Sequence, residues 1–316
     1  MDRRLGAAVS SLMEQSPAVF PPLPLEEWEQ TKNTLHLFLQ IVGKVRLATH
    51  PKTNHWWHVT LYVSTRGLTT GPIPFQKGLF EIEFDFLRHA LSISTSGGQT
   101  RRVPLRKLSV ADFYRKVSSA LADLSIDVRI RPIPYDAPFS TIPFEQDTVH
   151  KSYDSRYVER FWRILCQVDS IFREFRGKFI GKSTPVQLYW HHLDLVLTLF
   201  CGKPAPEAGG NRVNREAYSH EVISFGFWAG DVRVREPAFY SYTYPLPPGL
   251  YDQLLKPPGA VWDREGGYAL LRYDQVRAAA SPRLALLDFL ESAYQAGAQL
   301  AGWDLEALRL RPPGGG

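Results

Sequence analysis

Along this chain the apolar residues change period from three-to-four to two, and that switch constrains the fold more than any other feature. After Pro24, the residues Leu25, Trp28, Thr31, Leu35, Phe38 and Val42 recur at helical spacing, and Gly43 supplies a stop. From Trp56 the pattern alternates: Val59, Leu61 and Val63 point one way, His58, Thr60, Tyr62 and Ser64 the other. A second strand follows with Phe80, Ile82, Phe84 and Phe86 on one face and Glu81, Glu83 and Asp85 on the other. A third, Leu91 to Thr95, ends at the turn signal Ser96-Gly97-Gly98. Ser109 and Asp112 form an S-x-x-D capping box for a helix carrying Val110, Phe113, Val117, Leu121 and Leu124. A short strand, Ile126 to Ile130, closes this half.

The second half repeats the order. A long helix runs from about Ser155 to Phe175, with strands near 186–190, 193–200, 219–228, 238–244 and 268–272. A last helix opens with Ser281 as cap and Pro282 at its first position. Turns and loops rather than crossover helices join most of the strands, so the expected class is α+β, with mainly antiparallel sheet packed against about four helices. The shared order suggests two structurally related halves, although no residue-level repeat accompanies it. The expected layout is a flexible N-terminal segment (1–20), a single domain (21–304) and a flexible tail (305–316) ending Arg-Pro-Pro-Gly-Gly-Gly. Its halves, about 21–131 and 150–304, are joined by a connection (132–149) holding Pro132, Pro134, Pro138 and Pro143.

Composition narrows the setting. At 316 residues and 44 % hydrophobic, the chain has material for a large core, and no apolar run reaches the roughly 18 residues of a membrane span. Lys+Arg exceed Asp+Glu by 37 − 32 = 5. Residues 101–182 alone carry 16 basic and 10 acidic side chains. No finger, homeodomain or RNP pattern accompanies that basic stretch, so a solvated face is the better explanation than nucleic acid. The two cysteines, Cys166 and Cys201, cannot frame a small disulfide-bonded fold, and a signal-peptide pattern is missing, which points to a reducing cytoplasm. Oligomeric state is left open.

Familiar catalytic signatures fail. Gly177-Lys-Phe-Ile-Gly181-Lys182-Ser183 has three residues between its glycines where a phosphate loop needs four, and it follows a helix. The chain has no G-x-S-x-G, H-E-x-x-H or paired C-x-x-C. What it offers is histidine beside carboxylate. Asp147, His150 and Asp154 would share a face if their segment turned helically, with Tyr153 between them; the bland alternative makes Asp154 or Ser155 a helix cap. His192 and Asp194 share one strand face, and a strand-borne Asp194 needs a partner if buried. His220 and Glu221 fall on opposite faces of theirs. Tyr240, Tyr242 and Tyr244 form a stripe that either belongs to the core or lines a ligand pocket.

Several strings resemble an uncharacterised bacterial family, domain of unknown function 5996. They include Thr34-Leu-His-Leu-Phe38, Asn54-His-Trp-Trp-His-Val-Thr-Leu-Tyr-Val63, Arg66-Gly-Leu-Thr-Thr70, Ser109-Val-Ala-Asp-Phe-Tyr114, His150-Lys-Ser-Tyr-Asp154, Glu216-Ala-Tyr-Ser-His-Glu221 and Gly226-Phe-Trp-Ala-Gly230. The resemblance spans roughly 22–304 and implies a cytosolic bacterial protein; it brings no activity, cofactor or catalytic residue. In the family's pattern Trp-Gly-Ser-Phe-Asp-Leu stands where this chain has Trp190-His-His-Leu-Asp-Leu195, so Asp194 gains weight while His191 and His192 lose it.

Three functions compete. One is an enzyme acting on a small polar substrate through acid–base or metal-assisted chemistry. His58, His150, Asp154, Asp194, His220 and Glu221 would be its catalytic set, with Tyr62, Arg66, Tyr153, Tyr240 and Tyr242 positioning substrate. A divalent metal would suit the same residue types, and the histidines would have to converge on one point. The second is a non-catalytic, aromatic-lined site in which Arg46, Arg66 or Lys44 holds a small anionic ligand. The third is an interaction scaffold or nucleic-acid partner using Arg156, Arg160 and Arg163.

Overall fold

The computed structural model describes residues 19–206 and 209–310. The first half runs helix α1 (Leu25–Thr49), a 3-10 segment (Asn54–Val59), strands β1 (Tyr62–Val63), β2 (Gly67–Thr69), β3 (Ile73–Phe75), β4 (Gly78–Asp85), β5 (Ala90–Thr95) and β6 (Thr100–Pro104), then helix α2 (Val110–Asp123). The second half runs α3 (Ser155–Arg176), β7 (Lys182–Ser183), β8 (Gln187–Tyr189), β9 (Asp194–Pro204), α4 (Arg212–Ala217), β10 (His220–Trp228), β11 (Ala238–Tyr244), β12 (Val261–Asp263), β13 (Tyr268–Arg272), α5 (Tyr273–Ala278) and α6 (Pro282–Leu300). The fold is α+β, as the switch of period implies.

Each half contributes one antiparallel sheet. Sheet one has the order β1-β2-β4-β5-β6 with β3 on β4; sheet two has β12-β13-β11-β10-β9-β7 with β8 on β9. A two-bond bridge between Leu61 and Leu188 ties them together. Sheet one lays Phe80, Ile82, Phe84 and Phe86 against α1 and α2, where Phe38 stacks on Phe113 at 3.9 Å. Sheet two lays Leu195, Leu197, Phe225 and Phe227 against α3 and α6, with Phe175 edge-on to Phe225 at 5.2 Å. Trp28 of α1 meets Phe161 of α3 at 5.3 Å, so the two layers share one core.

Helix α1 is buried nearly all round, from Leu25 to Arg46. A surface helix would show one apolar stripe; a helix buried on every side must satisfy its polar groups internally. Three of them are satisfied along an i+4 row. Lys32 Nζ donates to the Gly230 carbonyl at 2.7 Å, and His36 Nε2 lies 2.9 Å from the Trp190 carbonyl and 3.1 Å from that of His191. Gln40 donates to the Tyr135 carbonyl and accepts from its N–H, both at 2.8 Å. This row fastens the proline-rich connection and the turn before β9 to the central helix. Burial drives the His36 pKa down to about 3, so its ring is neutral.

Four expectations need correction. Gly43 does not stop α1, which continues to Thr49; a Cβ there would fall 2.2 Å from the Trp190 indole, so this glycine admits the ring. The alternation from Trp56 yields only the short β1, because His55 and Trp56 adopt left-handed φ of 55° and 61° and coil the preceding residues. Ile126–Ile130 is extended but joins neither sheet. Part of the expected tail is tied down: Ile180 N–H donates to Leu308 and Leu310 N–H to Lys178, at 3.0 and 2.8 Å. Residues 1–18 and 311–316 lie outside the described residues. The caps follow the sequence. Ser109 and Asp112 form the capping box, a contact of about 1 kcal/mol, and Ser281 caps α6.

Candidate functional site

Register decides which residues share the outer face of sheet two. Tyr189 pairs with Asp194, Asp194 with Trp228, Thr198 with Ser224, and Ser224 with Tyr242. Directly paired residues lie on the same side, so Gln187, Tyr189, Asp194, Thr198, Ser224, Gly226, Trp228, Tyr240 and Tyr242 form one polar-aromatic face. The opposite side is the apolar layer under α3 and α6.

Asp194 is the focus of this face. It is 7 % exposed, and the Tyr240 hydroxyl donates to its Oδ2 at 2.5 Å. Tyr240 stands on β11 and Asp194 on β9, so the phenol must cross the whole width of β10. Gly226 makes this crossing feasible: a Cβ there would sit 2.2 Å from Tyr240 Cζ. Asp194 Oδ1 is enclosed and has no partner among the described residues. Trp228, directly opposite, has an enclosed Nε1 that is equally unpartnered. Its ring packs on Tyr240 at 4.7 Å and Tyr268 at 5.7 Å.

The electrostatics follow from that burial. Desolvation raises the Asp194 carboxyl pKa, with His192 and the Tyr240 hydrogen bond pulling the other way. The tyrosines are pushed up by burial and then by the nearby Asp194 charge, which acts on Tyr189, Tyr218 and Tyr240; they stay protonated and can donate. Tyr218 and Tyr242 hydroxyls lie 3.0 Å apart, and those of Thr198 and Ser224 2.9 Å apart. Gln187 donates to Tyr189 at 3.2 Å and accepts from Thr60 at 3.0 Å. The face thus presents hydroxyl donors around a carboxyl that resists ionisation.

The other sequence-selected residues are dispersed. His220 lies on β10 eight residues from Trp228, which at about 3.3 Å per residue puts it roughly 25 Å from Asp194. There it meets the His55 ring at 5.7 Å, and Lys182 donates to His55 at 2.9 Å. Glu221 turns to the inner face and accepts from Trp303 Nε1 at 2.9 Å. His58 packs on Trp56 and accepts the Thr53 N–H at 3.2 Å. His150 pairs with the fully buried Asp147 at 2.7 Å, beside Phe139. Asp154 is the N-cap of α3 and pairs with Arg156, because the segment before it is a turn and not a helix. Tyr153 bonds His89 at 3.1 Å, and Arg66 pairs with Asp85 at 2.7 Å. Tyr62 packs under the Arg46 guanidinium at 5.4 Å. Arg160 and Arg163 lie over the rings of Tyr157 and Trp162 on their own helix.

His58, His150 and His220 each take other partners, so the three-way convergence of the expected enzyme is not formed, although His220 meets the Asn54–Val59 segment that carries His58 through the His55 ring. Among the described residues no three His, Cys, Asp or Glu side chains are grouped to hold a metal ion. Asp194, Tyr240 and Tyr242 do meet. Tyr189 of β8, Tyr218 at the end of α4, and Ser224, Gly226 and Trp228 of β10 join them, missed because register and not sequence spacing brings these elements to one face. One signal was legible: a glycine inside the aromatic run Phe225-Gly226-Phe227-Trp228 marks the close approach of another group.

Over residues 20–310 the chain matches a family of unknown function, DUF5996. The protein belongs to this family. No curated protein gives a significant match, and neither does any solved structure. Among the described residues no helix is long and apolar enough to cross a membrane. Two of the family strings acquire physical meaning here. Gly226-Phe-Trp-Ala-Gly230 carries the glycine under Tyr240, the Trp228 indole and the carbonyl that accepts from Lys32. Glu216-Ala-Tyr-Ser-His-Glu221 carries Tyr218, which closes the hydroxyl cluster.

Proposed function

We propose that this DUF5996 protein binds a small, uncharged polar molecule on the outer face of sheet two, between Asp194 and Trp228. The observation that carries this reading is the coincidence of two enclosed, unpartnered polar atoms, Asp194 Oδ1 and Trp228 Nε1, at directly paired strand positions. Leaving such a group unsatisfied costs about 1–3 kcal/mol, so a partner that supplies both an acceptor and a donor is favoured. A carboxamide or lactam has that pattern. The raised pKa of Asp194 favours a neutral molecule over a cation.

A second reading, acid–base chemistry on the same molecule, draws on the same carboxyl, whose pKa is shifted in the direction proton transfer near neutrality uses. The Tyr240 phenol holding Oδ2 would leave Oδ1 as the exchanging atom. We place the protein in a bacterial cytosol; the unpaired Cys166 and Cys201 support a reducing compartment.

The test is a titration with nicotinamide, acetamide and 2-pyrrolidone, following the Trp228 indole N–H resonance. A saturable shift that disappears in Asp194→Leu supports the site, and time-dependent change of the bound molecule would favour the enzyme. A Trp228 resonance indifferent to all three, in a protein whose other indoles confirm the fold, removes the proposal in favour of a single ordered water.

A further inference from the structure

Helices α1 and α2 leave a groove of about 590 Å³ beneath the extended segment 126–130. That size lies within the roughly 300–1,000 Å³ of small-molecule sites. Its lining is mixed: Ile41 and Val45 from α1, Val117 and Leu121 from α2, and Val128 and Ile130 from the segment above supply an apolar side, while Ser118, Ser125, Asp127 and Arg129 are polar or charged. The segment belongs to neither sheet, so it covers the groove without being held by a ladder.

At one flank stands a lysine in an unusual position. Lys44, between the lining residues Ile41 and Val45 in sequence, is 8 % exposed. Among the described residues it has neither a hydrogen bond nor an ion pair. Its ammonium has only ring faces near it, Phe144 at 6.0 Å and Trp190 at 5.8 Å. Phe144 in turn packs on Tyr114, itself part of the groove lining, at 6.2 Å. Arg131, directly after Ile130, is exposed and close enough that its charge acts on Lys44. Two cations thus stand together with no carboxylate neutralising Lys44. The acidic groups nearest the groove are Asp127 on its roof and Glu145 beside Tyr114. A largely buried ammonium with no carboxylate beside it is favoured by an anion, and the apolar side of the adjoining groove suits a molecule that also carries an apolar chain.

We propose that this groove binds a medium-chain aliphatic carboxylate, its methylenes along Ile41, Val45, Val117 and Leu121 and its carboxylate at Lys44, with Arg131 as the second cation. The site is independent of the Asp194 face.

Calorimetric titration of the full chain with decanoate, hexanoate and decanol tests it. One decanoate per chain is expected, with affinity falling about fourfold for each methylene removed on the way to hexanoate. Decanol, which lacks the charge, should bind about tenfold more weakly. Lys44→Met keeps the buried stem and should cost decanoate about tenfold while leaving decanol unchanged. Val117→Trp fills the trough and should abolish both; Arg131→Gln, at an exposed position, repeats the charge test should Lys44→Met fail to fold. Absence of decanoate binding overturns the proposal. So does equal binding of decanol and decanoate, or decanoate binding indifferent to Val117→Trp.

Discussion

The two sheets share an architecture, an antiparallel array with one apolar face on the core, and differ in their second face. On sheet one, Glu81 accepts from Thr69 at 2.5 Å, Glu83 from Ser64 at 2.7 Å, and Asp85 from Arg66 at 2.7 Å. Every carboxylate there has a short-range partner. On sheet two Asp194, 7 % exposed, keeps one oxygen without a partner among the described residues, although Asp85 of sheet one, at 4 % exposed, has both of its oxygens bonded. Alternation of side chains is therefore no guide to use. The polar row of sheet one is satisfied by neighbouring strands and turns even at the buried Asp85, whereas the tyrosine-lined row of sheet two keeps unsatisfied capacity that a ligand can take up.

Substitutions that treat the two faces alike should have unequal effects. The largest is expected from Gly226→Val, which drives a side chain into the Tyr240 ring and should cost about 3 kcal/mol in urea unfolding. Tyr240→Phe removes the phenol that donates to Asp194 Oδ2 and should cost about 1–2 kcal/mol, read by the same unfolding curves. If both variants unfold like the parent, the two faces are equivalent after all.

Next comes a pH effect. Burial raises the Asp194 pKa above its usual 3.8, so the folded chain keeps a proton that the unfolded chain has released. Stability from this group should decline as pH rises from about 3.8 through the raised value, and Asp194→Asn should remove that decline. His36 should slope the opposite way. Its pKa drops from 6.5 to about 3, so its neutral burial favours folding above about pH 6.5, and that advantage is lost as pH falls toward 3. His36→Gln should flatten that acid limb. Parent-minus-variant differences in unfolding free energy, measured across pH, check both signs. The smallest effect is expected from Ser94→Val on the outer face of sheet one, where Ser94 hydrogen-bonds the exposed Thr100 hydroxyl opposite Glu81; thermal unfolding should place it within about 0.5 kcal/mol of the parent.

Much of the fold was legible because it is local. The capping box at Ser109, the cap-and-proline start of α6 and the Phe80–Phe86 alternation each need only a few neighbouring residues to act. What misled were positions where a distant group overrides the local preference. Gly43 looks like a helix stop until Trp190 packs on it. Ile126–Ile130 alternates like a strand but finds no sheet edge. The site was half legible: Asp194 and the tyrosine stripe could be picked as polar groups in need of partners, but their partner in space could not. Asp147, not Asp154, orients His150, for the same reason that a turn replaces the helix assumed there.

By itself the sequence determined the α+β class, the order of most elements and their caps, because hydrophobic period and capping are short-range properties of the chain. Only the tertiary structure decided that sheet two's tyrosine face is centred on Asp194, that α1 is buried along its polar row, and that His58, His150 and His220 each take other partners. Those outcomes depend on strand register and on which residues, far apart in sequence, the shared core brings into contact.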